Sequence, residues 1–378
     1  MGKQFVRKSR SSIEKINMRY FDYKLFGIIM LLAITGLFFL YSASSAYAYS
    51  TRNDMLYYFK KQVIWVIYAS LLMITITFVN LENIRKYMPY IMLVTIFLLI
   101  ITLFMPKIQN TRRWIPLKIM NLQTSEIAKI VFVLYISDYI DRNFSKIKNL
   151  KYLIKPILVV SIILILIAIE PDLGTPALIF VVMISVLFVS GINLLYILIP
   201  LAVGVLLIIL EIIRHPYRLA RIKTFLSPWD DPTGKSFQLV QSLVAIGSGW
   251  WFGRGPGNSI IKLNYLPESH TDFIFPVVAE ETGFIGVCII MFLFFSFFKR
   301  TLHIASHAKE TFLFYVAFTS GFMITVQAFF NIAMTGGMVP TKGLPLPFFS
   351  YGGSSIISTM ILCGFILNVS LRRKGIWE

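Results

Sequence analysis

Long apolar stretches separated by short polar connections dominate the chain. Nine of them are continuous apolar runs with neither a 3.6-residue nor a two-residue period, and each is long enough to cross about 30 Å of hydrocarbon as a helix. A tenth run carries Glu126, Lys129 and Asp138, and we count it as a span because the charge alternation along the chain requires it. The predicted spans are Leu25–Ser44, Val63–Val79, Tyr87–Phe104, Ser125–Tyr139, Leu153–Ile169, Pro176–Ser190, Leu195–Ile213, Phe273–Phe298, Phe312–Thr335 and Ser354–Leu371.

The composition indicates the same fold class. Of the 378 residues, 57% are hydrophobic and only 14% are charged, whereas soluble domains carry about 25% charged residues. No polar stretch is long enough to form a separate soluble domain. We therefore predict an all-α, polytopic integral membrane protein of about ten transmembrane helices.

Basic residues predict the orientation of this bundle. Seven Lys or Arg lie in the first 24 residues, and alternate connections are also basic, which places them in the cytoplasm. Ten spans put both termini on that side. The predicted organisation is a cytoplasmic tail over residues 1–20, a membrane domain over 21–372 and a second cytoplasmic tail over 373–378, with a large extracytoplasmic loop over 214–272 before the eighth helix.

The predicted outer connections hold more cations than orientation explains. Arg and Lys cluster in three of them, within a chain whose net charge is +18. Long translocated loops can simply tolerate such charge. A cationic outer surface also suits an anionic substrate such as a phosphate-bearing lipid, and we favour that hypothesis. Because topology accounts for the basic inner connections, we predict no nucleic-acid partner.

The first two candidate segments precede the fourth and sixth spans. Arg113 lies beside Trp114 as an interface anchor, and Thr124 or Ser125 could cap the next helix. Glu126 and Lys129 have the i, i+3 spacing of an ion pair, and charges inside a membrane are functional candidates. The run Glu170-Pro-Asp-Leu-Gly-Thr forms an outer turn whose Pro and Gly explain its shape, so its two carboxylates suggest another role.

The third segment is the large loop, which contains Arg218 and Arg221. Its run from Gly247 to Gly257 resembles a phosphate loop only by glycine count. Asp272 follows His270 at the end of the loop and could be a helix N-cap, a general base or a metal ligand. Glu280 and Glu281 come next. They could belong to the same site as Asp272, or they could be a buried pair with a basic partner.

The fourth segment runs from Asn331 to Ser355. Three prolines and two glycine pairs make it irregular, and irregular backbone at membrane depth survives only when it is buried in protein or lines a cavity. We therefore predict that this segment forms a wall of the site, with Lys342 as its charge.

The four segments, in this order, resemble the SEDS family (shape, elongation, division and sporulation) from roughly Asp22 to Leu371. The resemblance rests on four motifs: Arg113-Trp, Glu170-Pro-Asp-Leu-Gly-Thr, Pro267-Glu-Ser-His-Thr-Asp-Phe-Ile-Phe and Pro345-Leu-Pro-Phe-Phe-Ser-Tyr-Gly-Gly-Ser-Ser. The runs that begin at Tyr265 and Pro340 look more like the division branch than the elongation branch. The chain departs from the family pattern at Thr124, Glu170, Trp250-Trp251 and Pro276; at Glu170 the family frequently has Gln.

This resemblance implies a peptidoglycan glycosyltransferase of the bacterial cytoplasmic membrane, placed at the division septum. It would polymerise lipid II with loss of undecaprenyl pyrophosphate, alongside a class B penicillin-binding protein and other division proteins. Asp272 would be the catalytic base, acting directly or through a divalent cation, Mg or Mn. The predicted substrate-binding residues are Arg113, Glu126, Lys129, Arg218, Arg221, His270, Glu280, Lys342 and Ser350.

Two other functions fit parts of the sequence. A transporter that flips the lipid-linked precursor also needs carboxylates and cations within the membrane, but the polar groups here crowd one face and we find no internal repeat. A non-catalytic scaffold for division proteins explains the basic N-terminal tail. It leaves Asp272, Glu280 and the outer loops without a role.

Overall fold

The computed structural model describes residues 20–107, 111–117, 121–147, 149–170, 172–214, 223–234, 236–262, 269–341 and 343–372. Two short strands, β1 and β2, pair in the connection between helices α4 and α5. The helices are α1 Tyr23–Arg52, α2 Tyr57–Phe78, α3 Leu81–Lys86, α4 Met88–Leu103, α5 Thr124–Asn143, α6 Lys151–Ile169, α7 Gly174–Val189, α8 Leu194–Arg214, α9 Phe237–Ser248, α10 Ile274–Ser306, α11 Thr311–Thr335 and α12 Gly353–Ser370; the strands are β1 Trp114–Pro116 and β2 Asn121–Gln123.

Ten of the helices in the described ranges coincide with the ten predicted spans, so the prediction of an α-helical, multi-pass membrane protein is confirmed. Among the described residues, six helices are long and apolar enough to cross a membrane by length and composition alone: α1, α2, α6, α10, α11 and α12. Helix α5 is not among these six, because it contains several charged residues. Its Glu126 and Lys129 are nevertheless buried, as expected of ionisable groups that face the interior of a membrane bundle.

Helices α11 and α12 form the centre of the bundle. The most apolar window of each is 78% buried, whereas the corresponding windows of α2, α6 and α10 are 28% buried. α12 packs against α2 and α11, and α11 in turn packs against α10 and α5. The outer helices expose large apolar side chains such as Ile67 and Phe97, which suits contact with lipid.

The bundle has two chemically different ends. At one end, Arg300 Nη2 pairs with Asp22 Oδ2 at 2.7 Å, and Arg85 bonds to Asp138 and Asp141. At the other end, the segment that precedes α10 contacts the ends of α1 and α2 and the segment that follows α11, and that last segment also packs on the start of α7. Arg113, from the connection that follows α4, donates to Glu170 O at the turn that follows α6. We call this second end the site end, because it contains Asp272, and the first the opposite end.

The sequence did not predict the hairpin at the site end. β1 and β2 are antiparallel, with Ile115 opposite Leu122 and Trp114 opposite Gln123. Such a short hairpin satisfies backbone groups where the chain leaves the membrane. Gln123 also occupies the N-cap position of α5, so the expectation that Thr124 or Ser125 caps that helix is wrong.

The sequence also did not predict a break within α10. Gly283 has φ 66° and ψ −167°, a backbone conformation that is essentially restricted to glycine. The glycine-rich run lies along the break: Phe284 N donates to Trp250 O at 2.8 Å, and Arg254 N donates to Glu280 O at 2.9 Å. The run therefore supplies hydrogen bonds that the broken helix cannot make within itself.

Candidate active site

Asp272 lies at the site end, two residues before α10 begins. The N-cap position is Phe273, so the alternative that Asp272 is the helix N-cap is not what the structure shows. The segment that follows α11 touches its carboxylate closely. A Cβ placed on Gly343 would lie 2.7 Å from Oδ2 of Asp272, so glycine at position 343 allows the backbone to approach the acid.

Three consecutive carbonyls fix the backbone at this acid. His270 O accepts a hydrogen bond from Tyr351 N at 2.9 Å, and Thr271 O accepts one from Ser350 Oγ at 2.6 Å. Asp272 O accepts the third, from Asn331 Nδ2 at 2.8 Å. All three donors belong to α11 or to the segment that follows it. The position of Asp272 is therefore determined from one side by this segment.

Ser350 is buried and bridges two chain segments. Besides donating to Thr271 O, its hydroxyl accepts a hydrogen bond from Leu346 N at 2.8 Å. Its carbonyl accepts from Gln62 Nε2 at 3.3 Å, and Gln62 Oε1 accepts from Gly352 N at 3.2 Å. These contacts give Ser350 a structural role at the site. Its contact with substrate stays a prediction.

His270 belongs to an aromatic cluster at the ends of α1 and α2. Its ring centroid lies 5.0 Å from that of Tyr47 and 4.8 Å from that of Tyr58. Tyr58 also contacts Tyr351 edge to face at 5.0 Å. Burial raises the pKa of Tyr351 to about 12, so its hydroxyl remains neutral at physiological pH.

Glu126 and Lys129 form the predicted ion pair. Lys129 Nζ lies 2.8 Å from Glu126 Oε2, and Ser358 of α12 donates to the same carboxylate. Lys129 Nζ also donates to Gln327 Oε1 at 2.9 Å. The ammonium thus contacts protein groups on α5 and α11, inside the bundle.

The turn between α6 and α7 places Glu170 and Asp172 at the site end. Arg113 Nε donates to Glu170 O at 3.2 Å, and Gly174 packs against Leu344. Glu170 is fully buried, and burial, together with the nearby Asp172, raises its pKa to about 8 in spite of Arg113. Most Glu170 side chains are therefore protonated at pH 7.

Asp172 does shape this turn, contrary to the expectation from the sequence. Its Oδ1 accepts from Gly174 N at 2.9 Å and Thr175 N at 3.2 Å, and its Oδ2 accepts from Thr175 Oγ1 at 2.8 Å. These bonds satisfy backbone donors in the first turn of α7. The two carboxylates of the motif consequently have different structural surroundings.

Glu280 and Glu281 hold the glycine-rich run against α10. Glu280 accepts from Ser259 Oγ at 2.5 Å and from Ile260 N at 3.2 Å, with Arg254 Nε at 3.4 Å. Glu281 pairs with Lys262 at 3.0 Å. The alternative of a buried acidic pair with basic partners is therefore what the structure shows. The contact of Glu280 with substrate stays a prediction.

The structure thus brings together Asp272, His270 and Ser350, and it joins Glu126 to Lys129. Arg113 lies at the turn that packs on the same segment, whereas Glu280 belongs to a separate cluster. Arg218, Arg221 and Lys342 lie outside the described residues. Within those residues, no group of three or more His, Cys, Asp or Glu side chains could hold a metal ion.

Sequence reasoning missed Gln327 and Asn331. Gln327 contacts Lys129 of the ion pair and Pro345 O, whereas Asn331 contacts Asp272 O and Leu344 O. The signal was present in the sequence. Two amide side chains four residues apart in an otherwise apolar span fall on one helix face. Buried amides need hydrogen-bond partners, so the pair predicts a polar contact at that face.

Comparison with known proteins adds independent information. Residues 23–375 match the cell cycle protein family of FtsW, RodA and SpoVE. A Pseudoalteromonas translucida protein named probable peptidoglycan glycosyltransferase FtsW is 40% identical over 365 residues, which cover 95% of this chain and 92% of the relative. A Buchnera aphidicola protein of the same name is 38% identical over 369 residues, which cover 96% and 97%. A chain from the structure reported as "Structural coordination of polymerization and crosslinking by a peptidoglycan synthase complex" superposes with a TM-score of 0.76 at 24% identity, over 93% of this chain and 97% of that chain.

Proposed function

Because the chain belongs to the FtsW, RodA and SpoVE family of cell cycle proteins, we propose that it is a peptidoglycan glycosyltransferase. It polymerises lipid II into glycan strands during septal wall synthesis, as the relatives' name and the division-type motifs suggest. The observation that supports this most directly is the setting of Asp272. Its backbone is fixed by three hydrogen bonds, and its carboxylate lies against Gly343 at the site end.

Asp272 acts as the general base. A sugar hydroxyl of one substrate attacks the anomeric carbon of the other, and the hydroxyl proton passes to the Asp272 carboxylate. The new glycosidic C–O bond forms as the bond from the anomeric carbon to the pyrophosphate oxygen breaks. That electron pair leaves with undecaprenyl pyrophosphate, and the anomeric configuration inverts. A carboxylate held in one position favours this step, because the reaction is fast only when the base and the attacking hydroxyl are correctly oriented.

Cations stabilise the leaving pyrophosphate. We assign this role to Arg113, Arg218, Arg221 and Lys342, of which Arg113 lies at the turn that packs on the segment following α11. Lys129, the fifth candidate cation, is instead paired with Glu126 inside the bundle. His270 and Ser350 complete the wall beside Asp272. If a divalent cation, Mg or Mn, is bound, Asp272 would hold it, and its charge would lower the pKa of the attacking hydroxyl.

The proposed partner is a class B penicillin-binding protein that cross-links the new strands. A chain of similar fold in a peptidoglycan synthase complex supports a partner of this kind. We place the site end outside the cytoplasm, because lipid II is consumed there and the basic connections lie at the opposite end. The tails at residues 1–20 and 373–378 are then cytoplasmic.

The test is polymerisation of lipid II by the purified full-length protein together with a class B penicillin-binding protein, with glycan chains resolved on a gel. Asp272→Asn keeps the size of the side chain and removes the base. Asp230→Asn is the matched control, because Asp230 is exposed in the large loop. Thermal unfolding of all three proteins shows whether they are folded.

We expect chains from wild type and from Asp230→Asn, and a loss of at least about 100-fold for Asp272→Asn, the lower end of the range for removing a general base. Equal amounts from all three proteins would exclude Asp272 as the base. If no protein makes chains but lipid II crosses liposome membranes, the chain is a transporter instead.

A further inference from the structure

Two amide side chains on α11 connect the centre of the bundle to the candidate base. Gln327 is 2% exposed and Asn331 is fully buried, and they lie four residues apart on one helix face. A buried amide that lacks hydrogen-bond partners destabilises the folded state. The presence of two buried amides in the apolar helix α11 therefore suggests that their hydrogen bonds have a structural or functional role.

Asn331 joins the two segments that meet at Asp272. Its Nδ2 donates to Asp272 O at 2.8 Å and to Leu344 O at 2.7 Å. Leu344 follows Gly343, which is the residue that approaches the Asp272 carboxylate. One amide group therefore fixes both the acid and the backbone that packs against it.

Gln327 links the same segment to the buried ion pair. Its Nε2 donates to Pro345 O at 2.9 Å, and its Oε1 accepts from Lys129 Nζ at 2.9 Å. Lys129 is held in turn by Glu126, which accepts from Ser358. The chain of contacts runs from α12 through α5 and α11 to the backbone next to Leu344.

We propose that Gln327 and Asn331 are positioning residues for Asp272, and that the Glu126–Lys129 pair acts on the site through Gln327. This inference rests on the proposed function. Leu344 and Pro345 are consecutive, so the two amides hold adjacent carbonyls of the segment beside the acid. Their loss displaces Asp272 relative to the bound substrate without removing a substrate contact.

Kinetics separate positioning from binding. We would compare Gln327→Met and Asn331→Leu with Thr325→Val in lipid II polymerisation by the full-length protein with its penicillin-binding partner. Thr325 is the matched control, because it is buried on the same helix and its hydroxyl donates only to Gly321 O, at 2.8 Å. Thermal unfolding of each variant shows that the fold is retained.

We expect kcat to fall by about 100-fold in the two amide variants, the loss typical of a displacement near 1 Å, while KM changes less than about twofold. Thr325→Val keeps both constants. An amide variant that raises KM and keeps kcat contacts substrate directly, and this result overturns the proposal, as does wild-type kcat in both variants.

A double-mutant comparison tests the link to the ion pair. Glu126→Gln combined with Lys129→Met removes the pair without leaving a single buried charge. If the pair acts through Gln327, adding Gln327→Met to this background lowers kcat by much less than it does in wild type. Losses that simply multiply show that the pair acts independently, which refutes this part of the proposal.

Amide hydrogen exchange of the full chain provides a readout that does not need activity. We expect faster exchange at Leu346 and Tyr351, whose N–H groups are hydrogen-bonded at the site, in both amide variants and not in Thr325→Val. If wild type makes no glycan, the proposed function is wrong, and exchange alone decides whether the amides order this segment. Unchanged exchange together with unchanged kcat contradicts the positioning role.

Discussion

At the scale of single residues, Glu170 shows how burial changes the chemistry of a carboxyl group. No part of its side chain is exposed. Within the described part of the chain its Oε2 has no hydrogen-bond partner, and Thr124 Oγ1 donates to its Oε1 at 3.5 Å. Burial raises its pKa to about 8, with a further contribution from Asp172, while Arg113 acts in the opposite direction. In its neutral form the side chain has the shape and polarity of glutamine.

The first prediction concerns Glu170→Gln. The pKa of Glu170 is higher in the folded protein, at about 8, than its ordinary value of 4.5, so the folded state binds the proton more tightly than the unfolded state. The stability that this carboxyl group contributes is full below pH 4.5 and is lost as the pH rises to about 8. Glu170→Gln has no such dependence. We expect it to become more stable relative to wild type between pH 5 and pH 8.

Thermal unfolding of both proteins in one detergent at pH 5, 6, 7 and 8 measures this difference. Asp230→Asn changes an exposed acid and serves as the control, since it should show no trend of this kind. A difference in Tm between Glu170→Gln and wild type that stays constant with pH would mean that Glu170 is ionised throughout the range.

At the scale of elements, the sequence was informative where a feature depends on local composition. Nine of the ten spans follow from the length of apolar runs and the tenth from the alternation of charge along the chain. The i, i+3 spacing of Glu126 and Lys129 predicts their ion pair. The hairpin pairs two strands of only three residues, which are too short for a recognisable alternation. The break at Gly283 and the hydrogen bond from Asn331 to Asp272 O depend on partners far away in the chain. No local pattern specifies which distant backbone groups those partners will be.

The residues of the candidate site also divide into those that a local motif predicts and those whose contacts depend on distant parts of the chain. Asp272, His270 and Ser350 were selected from motifs, and the structure places them together. Glu280 was selected because it is an acid near Asp272 in the sequence. In the structure its carboxylate faces Ser259 and Ile260 of the glycine-rich run, and sequence distance could not reveal that contact.

The second prediction concerns the break in α10. A Cβ at position 283 would lie 2.3 Å from Gly253 N, and the φ of 66° is itself unfavourable for any other residue. A non-glycine residue in such a strained conformation costs about 1–3 kcal/mol. We expect Gly283→Ala to lower the free energy of unfolding by at least this amount. The steric clash adds to this cost and displaces the glycine-rich run.

Gly247→Ala is the matched control, because a Cβ there meets nothing within 4 Å. Urea or thermal unfolding of the two variants in detergent should show a loss of stability for Gly283→Ala only. Equal stability of both variants would show that the backbone of α10 can adopt a regular helix at position 283, contrary to the structure.

At the scale of the whole molecule, the two ends of the bundle differ in their chemistry. The opposite end contains Arg85 with its acidic partners, the Asp22–Arg300 pair and Arg372, which bonds to Val79 O at 3.0 Å. The site end contains the candidate base and the aromatic cluster around His270. A polymerase that takes its substrate from one leaflet requires this asymmetry, whereas a transporter needs polar groups along the whole path.

The last prediction tests how this asymmetric bundle is oriented in the membrane. Ser50 lies near the end of α1 at the site end, and Ser306 is the last residue of α10 at the opposite end; both are exposed. The positive-inside rule places Ser306 in the cytoplasm. In intact cells, a membrane-impermeant maleimide should therefore label Ser50→Cys and leave Ser306→Cys unlabelled until the membrane is permeabilised. The parent protein, with Cys288 and Cys363, gives the background. The reverse labelling pattern would place Asp272 on the cytoplasmic side, where it could not extend a wall outside the membrane.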